Sequence, residues 1–233
     1  RSEDVTAVFE VLQPALTDLV AAHAGELDGF LRGPFDVATQ DALSREVIGA
    51  FGVDWSSFRL DLTVHPFEIT LGLGDIRLTT RYDESDLNAL FTAMHEAGHG
   101  LYEFGSSPSL DRTPLAGGES SMILHESQSR LWENVVGRSL PFWRWFFPRV
   151  QASFAEQLGG VSLEEFHRAI NRPVRSFVRV DADETSYGLH VILRYELERE
   201  LVAGRLAIAD LPDAWNTRFE ELLGLEVPND ALG

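Results

Sequence analysis

A mainly α fold with one small antiparallel β-sheet is what this sequence predicts. Three observations carry that prediction. Long segments repeat apolar residues at three- and four-residue spacing, two short segments alternate apolar with polar residues, and the alternating pair precedes an almost unbroken helical run. Residues 4–24 carry the first stripe, Val5, Val8, Phe9, Leu12, Leu16, Leu19 and Val20, with Pro14 inside it predicting a bend or an interruption. Gly33-Pro34 punctuates, and a second helix is expected over 38–51. Residues 57–64 alternate as a strand, a Gly-rich stretch passes Gly72 and Gly74, and 75–82 alternate again, giving an antiparallel pair. Ser85, three residues before Asn88, reads as the N-cap of a helix reaching Tyr102. Further helices are expected at 119–137, 142–157, 162–171, 183–203 and 211–223, with Pro148 kinking or dividing the second of these. The aromatic run from Phe142 to Phe147 is too dense to face solvent and is expected in the core, or failing that in an interface.

Composition narrows the function classes. Apolar residues at 44% and aromatics at 10% suffice for a packed interior over 233 residues, which excludes wholesale disorder. Against 37 acidic residues stand 19 basic ones, all arginine; a net charge of −18 argues against a nucleic-acid partner. The absence of cysteine removes disulfide frameworks, thiolate zinc sites and cysteine nucleophiles together. No contiguous apolar run approaches the ~20 residues of a membrane span, and Arg1-Ser2-Glu3-Asp4 does not open a signal pattern. The expectation is therefore a cytoplasmic protein without a membrane partner. With no repeat and no low-complexity linker, residues 1–233 are expected to form a single catalytic core.

The chemistry-bearing stretch is Met94-His95-Glu96-Ala97-Gly98-His99-Gly100, an H-E-x-x-H pattern on the helix that follows a strand. Four helical steps bring His95 and His99 within about 40° of one another and about 6 Å apart along the axis. Two imidazoles so placed can share one zinc ion. Glu96, one step on from His95, lies beside such an ion and can act as general base toward its water. A catalytic ion also needs a third ligand and an open corner; on spacing alone Glu126, Glu133 and Glu103 are candidates. Glu103 follows His99 by four, so it either hydrogen-bonds a ligand from behind or is a solvated helix-end carboxylate.

Five ordered elements extend the pattern: His65-Pro66-Phe67; Asp75, Arg77 and Thr79 as D-x-R-x-T; the histidine motif; His125-Glu126-Ser127-Gln128; and Val178-Arg179-Val180-Asp181-Ala182-Asp183, which looks like I-R-x-x-A-D with Val for Ile. Over most of its length the chain thus resembles the thermostable, Taq-type family of zinc metallocarboxypeptidases. That resemblance implies a helical zincin-type metallopeptidase, usually homodimeric, that releases single residues from peptide C-termini. It implies bound zinc, replaceable by cobalt in some members, with His95, His99 and Glu126 as ligands and Glu96 as general base. Family members are about twice this length, with more helix before the equivalent of Val5. After the equivalent of Pro228-Asn229-Asp230 they carry an HW-containing element and a GYFPTY-like one, neither of which is present here. The chain is expected to be a short or truncated member.

The substrate-facing residues are read more openly. A terminal carboxylate is best held by a bidentate arginine; the resemblance links the motif around Arg179 to substrate binding and makes it the first choice, with Arg77 the second, while Arg179 could instead pair internally with Asp181 or Asp183. Asp75, Arg77 and Thr79 share one strand face and either contact substrate or hold the small sheet together. His125 could donate to substrate or satisfy a helix carbonyl. Tyr187 and His190, three apart on one helix face, could supply an oxyanion donor or simply pack. Asp183 is expected as a supporting carboxylate of the site. The alternative to an active carboxypeptidase is a catalytically silent metal-binding module that binds peptides or a partner.

Overall fold

A computed structural model describes residues 2–113, 122–179 and 182–229. Residues 119–121 of the expected helix 119–137, together with Asp181 and Asp230, lie outside the described residues. The contacts divide the chain into two compact units, Asp28–Ile170 and the pair of segments Arg1–Leu27 and Asn171–Gly233. The sequence carries no linker that announces this division.

In Asp28–Ile170, α2 (Val37–Ala50) opens on Asp36, whose carboxylate accepts from the Thr39 backbone N–H at 2.8 Å. Three strands follow, β1 (Phe58–Leu62), β2 (Glu68–Gly72) and β3 (Asp75–Thr80), in the order β1-β3-β2. The expected sheet is therefore present, but it is mixed, and its topology differs from the antiparallel pair. β1 runs parallel to β3, with Phe58 opposite Ile76 and Leu60 opposite Leu78. Alternation identifies a strand without giving its direction. Here the Gly-rich stretch is itself a strand, hidden by its half-exposed residues, and it takes the antiparallel place beside β3. β2 is pinned near its start by Thr79 Oγ1, which accepts from the Phe67 N–H at 2.7 Å and donates to the Phe67 carbonyl at 2.8 Å.

The buried sheet face, Phe58, Leu60, Ile76 and Leu78, receives α3 (Asn88–Phe104). Gly100 makes the approach possible, since a Cβ there would lie 2.8 Å from Leu78 and Phe58 side-chain carbons. Ser85 is not the cap of α3; Asp86 accepts from the Asn88 N–H at 2.8 Å, and the helix starts at Asn88. α4 (Met122–Arg130) continues into a wider π-helical turn over Leu131–Val136. α5 (Leu140–Ser153) runs through Pro148 and ends at Phe154, followed by α6 (Ala155–Leu158) and α7 (Leu163–Ile170). Pro148 and Arg144, whose carbonyl the proline leaves without its helical donor, both lie on the exposed face, where water can serve that carbonyl. The aromatic run is core as expected: Phe142, Trp143, Phe146 and Phe147 are buried, and only Trp145 among its rings is turned out.

In the other unit, α1 (Ser2–His23), α8 (Glu184–Val202) and α9 (Leu211–Leu223) enclose Val20, Leu189, Ile192, Leu193, Phe219, Leu222 and Leu223. α1 is continuous through Pro14, which is also exposed. By length and composition α1 is also apolar enough to cross a membrane, against the expectation from apolar runs. The reason is that alanines and threonines dilute its few carboxylates without forming one uninterrupted apolar block. Of its residues only Val20 is buried, and Phe9 and Leu16 pack beside that cluster.

Candidate metal centre

The two motif histidines fall on one face of α3, with their Nε2 atoms 3.2 Å apart. A Cβ on Gly98, between them in sequence, would sit 2.6 Å from the Gln128 carbonyl oxygen and the Ser129 Cα. Glycine thus lets the backbones of α3 and α4 touch, and α4 delivers Glu126. Its Oε2 lies 3.2 Å from His99 Nε2 and 3.6 Å from His95 Nε2. Zinc bonds of ~2.0–2.1 Å at tetrahedral angles place ligand atoms about 3.3 Å apart, so these donors fit one small divalent cation. The side chains of His95, His99 and Glu126 are 16%, 11% and 41% exposed, so the cluster opens to solvent on the Glu126 side.

Each of these side chains has a partner behind it. Glu133 Oε2 is 2.7 Å from His95 Nδ1. Arg130 donates to Glu126 Oε1 at 2.9 Å and to Glu133 Oε2 at 3.1 Å, tying the two carboxylates together. Burial raises the pKa of Glu126, but the hydrogen bond with His99 and the charges of His95 and Arg130 outweigh it and bring it down to about 2. Glu133 behaves alike: burial pushes it up, and His95 and Arg130 hold it below the ordinary carboxylate range. Glu96, also buried, has no such cationic fork. Burial first, then the charges of Glu68, Glu126 and Glu133, push it up to about 7, with His99 pulling the other way.

On the far side of His99, its Nδ1 meets Nδ1 of His125, and His125 Nε2 lies 2.8 Å from Glu103 Oε1 and 3.8 Å from Glu68 Oε2. Glu103 therefore stands behind His125 and not directly behind His99. Glu68 and Arg130 were not legible as site residues. The signal for Glu68 is a carboxylate directly after His65-Pro66-Phe67, and for Arg130 an arginine four past one acid and three before another.

The remaining expected residues have local partners. Asp75 and Arg77 form a bidentate pair with each other at 2.9 and 3.0 Å, exposed on the sheet. In the other unit, Arg179 donates to the Tyr187 hydroxyl at 2.8 Å and lies over its ring, with no carboxylate of the described residues in ion-pair contact. Asp183 caps α8, accepting from the Thr185 and Ser186 N–H groups, and its second oxygen accepts from Val174 N–H. His190 is fully buried against Phe219, and neither ring nitrogen makes a well-formed hydrogen bond, although the Ser176 backbone lies close.

Residues 1–233, the whole of the chain, match the model of the family described as Carboxypeptidase Taq (M32) metallopeptidase. The chain belongs to that family. It is 44% identical over 99% of its length to thermostable carboxypeptidase 1 of Thermus thermophilus, and 40% identical over 96% to carboxypeptidase 1 of Bacillus subtilis. It spans 46% and 45% of those two proteins, about half their length. The crystal structure of the family carboxypeptidase from Deinococcus radiodurans superposes on the whole chain with a TM-score of 0.92 at 47% identity, again over 47% of the larger chain. The carboxypeptidase of Pyrococcus furiosus gives 0.92 at 31% identity, over 48% of that chain. Membership in a metallopeptidase family implies a divalent metal, and His95, His99 and Glu126 are the residues here that could hold it.

Proposed function

We propose that this chain carries the catalytic chemistry of a zinc-dependent metallocarboxypeptidase that releases single residues from peptide C-termini. The observation that carries this reading is the triangle of His95 Nε2, His99 Nε2 and Glu126 Oε2, with sides suited to one cation and with the buried Glu96 on the same helix. A zinc ion held there would polarise a water and the scissile carbonyl. Glu96 takes the proton of the attacking water and passes it to the departing amine; a carboxyl whose affinity for protons is raised toward neutrality can do both. Glu133 and Arg130 fix His95 and Glu126, so the site is preorganised before substrate arrives. For the terminal carboxylate we propose Arg179, the arginine that the family resemblance favours, whose guanidinium donates to the Tyr187 hydroxyl.

Two substrates and a chelator test the reading. Zinc-loaded protein is expected to shorten a free-acid peptide stepwise, to leave its amidated twin intact and to stop on chelation. Cleavage of the amidated peptide would point to an endopeptidase, and tight zinc without hydrolysis to a silent module. Arg179→Ala is expected to raise KM for free-acid peptides while zinc content stays unchanged.

A further inference from the structure

His99 differs from His95 in what stands behind it. A zinc-binding imidazole is neutral, and its second nitrogen carries a proton that needs an acceptor, most often a carboxylate. Glu133 is that acceptor for His95. Behind His99 Nδ1 stands another imidazole nitrogen, Nδ1 of His125. The two rings are tilted by 31° with centroids 4.4 Å apart, and their Nδ1 atoms face one another. An imidazole nitrogen accepts only while its ring's proton sits on the other nitrogen. That other nitrogen, His125 Nε2, is 2.8 Å from Glu103 Oε1, a contact close in distance and oblique in angle, with Glu68 Oε2 at 3.8 Å.

The cost of this arrangement shows that it is built. Glu103 is 1% exposed, and among the described residues His125 is the one donor that reaches its carboxylate. A carboxylate kept out of water with so little compensation is expensive. Glu68, polar on a largely exposed strand, also turns a side chain only 6% exposed toward the same imidazole. Tyr102 closes over His125 edge-on at 5.1 Å.

Resting on the metal-site reading above, we propose that His125 is a positioning residue for the cation, the middle of a chain Glu103–His125–His99. In this chain Glu103 and Glu68 keep the His125 proton on Nε2. His125 Nδ1 then receives the proton of His99 Nδ1, and His99 is locked with Nε2 turned to the metal. His125 is thereby committed inward, away from direct contact with substrate.

The test is metal affinity, measured by competition with a chelator, together with the visible spectrum of the cobalt-substituted protein. His125→Phe keeps a ring under Tyr102 but removes the acceptor; its zinc affinity is expected to fall about 10- to 100-fold and its cobalt bands to shift. His125→Asn, whose amide oxygen can accept from His99, is expected to recover part of the loss. A folded His125→Phe protein with wild-type affinity and an unchanged cobalt spectrum overturns the proposal. If that variant does not fold, Glu103→Gln decides: a several-fold weaker site supports the chain, and an unchanged one refutes it. Failure of the parent protein to take up zinc would sink the metal reading and this proposal together, whereas zinc uptake that no variant alters sinks the proposal alone.

Discussion

The two compact units use polar side chains in opposite ways. In Asp28–Ile170, Glu96, His99, Glu103 and His125 are all buried, next to Glu126, Glu133 and Arg130, and they face one another. His99 meets His125, Arg130 bridges Glu126 and Glu133, and the close approach at Gly98 brings the two helices that carry them together. In the unit built on α1, α8 and α9, the buried titratable side chain among the described residues is His190, set against Phe219 without a well-formed hydrogen bond, while apolar Val8, Val11 and Leu19 face outward. A polar cluster that supports itself reads as preorganised chemistry. An isolated polar side chain in an apolar interior reads as a stored cost, and its protonation acts on stability.

The largest expected effect breaks the chemistry and spares the site. Glu96→Gln is expected to lower turnover by about 10²- to 10⁴-fold with zinc content unchanged, read by peptide hydrolysis beside metal analysis. Retained hydrolysis would remove Glu96 as the base.

The next effect belongs to His190. Burial, then the charge of Arg194, bring its pKa down to about 4, with Arg179 adding to this and Asp183 opposing it. Between about pH 6.5 and 4 the unfolded chain therefore binds a proton that the folded one refuses. Stability falls on acidification through that window, by up to about 3 kcal/mol at the acid end. Denaturant unfolding of His190→Phe at a series of pH values is expected to show a shallower slope there than the parent protein. Equal slopes would show that His190 is not the group responsible.

A smaller effect tests the helix contact. Gly98→Val places carbon where the Ser129 Cα and Gln128 carbonyl already stand, and overpacking of this kind costs about 1–3 kcal/mol. Zinc affinity is expected to drop with it, because Glu126 moves with α4. Gly72→Ala, with open space around it, is the control and is expected to leave both quantities alone. At the bottom of the scale, Arg77→Ala removes an exposed pair with Asp75, worth at most about 1 kcal/mol. Unchanged KM in that variant confines Arg77 to the sheet, while a raised KM assigns it to substrate.

What could be read from sequence follows from what each pattern encodes. Helical spacing fixed His95 and His99 on one face, and the next helix was identifiable as the source of a third ligand, because both are local periodicities. The parallel pairing of β1 with β3 escaped notice, since it depends on where an unremarkable third strand inserts. The caps and prolines mislead for a related reason: Asp86 and not Ser85 accepts from the Asn88 N–H, while the Ser85 N–H donates to Asp83, and exposed prolines cost a helix less than buried ones. From sequence His125 stays open between a substrate contact and a helix-carbonyl partner, because it neighbours Glu126 and cannot face an ion alongside it. Only the crossing of α3 with α4 reveals that it faces the back of His99. The membrane-compatible composition of α1 went unseen because an apolar run and an apolar average are different measures.

The claim beneath all of this is that one cation is gathered by His95, His99 and Glu126. Diffraction from zinc-loaded crystals, recorded on both sides of the zinc absorption edge, addresses it without relying on turnover. The account predicts one strong anomalous peak about 2 Å from both Nε2 atoms and from a Glu126 carboxylate oxygen. A fully loaded crystal whose zinc lies elsewhere, with no density between those three side chains, would contradict it.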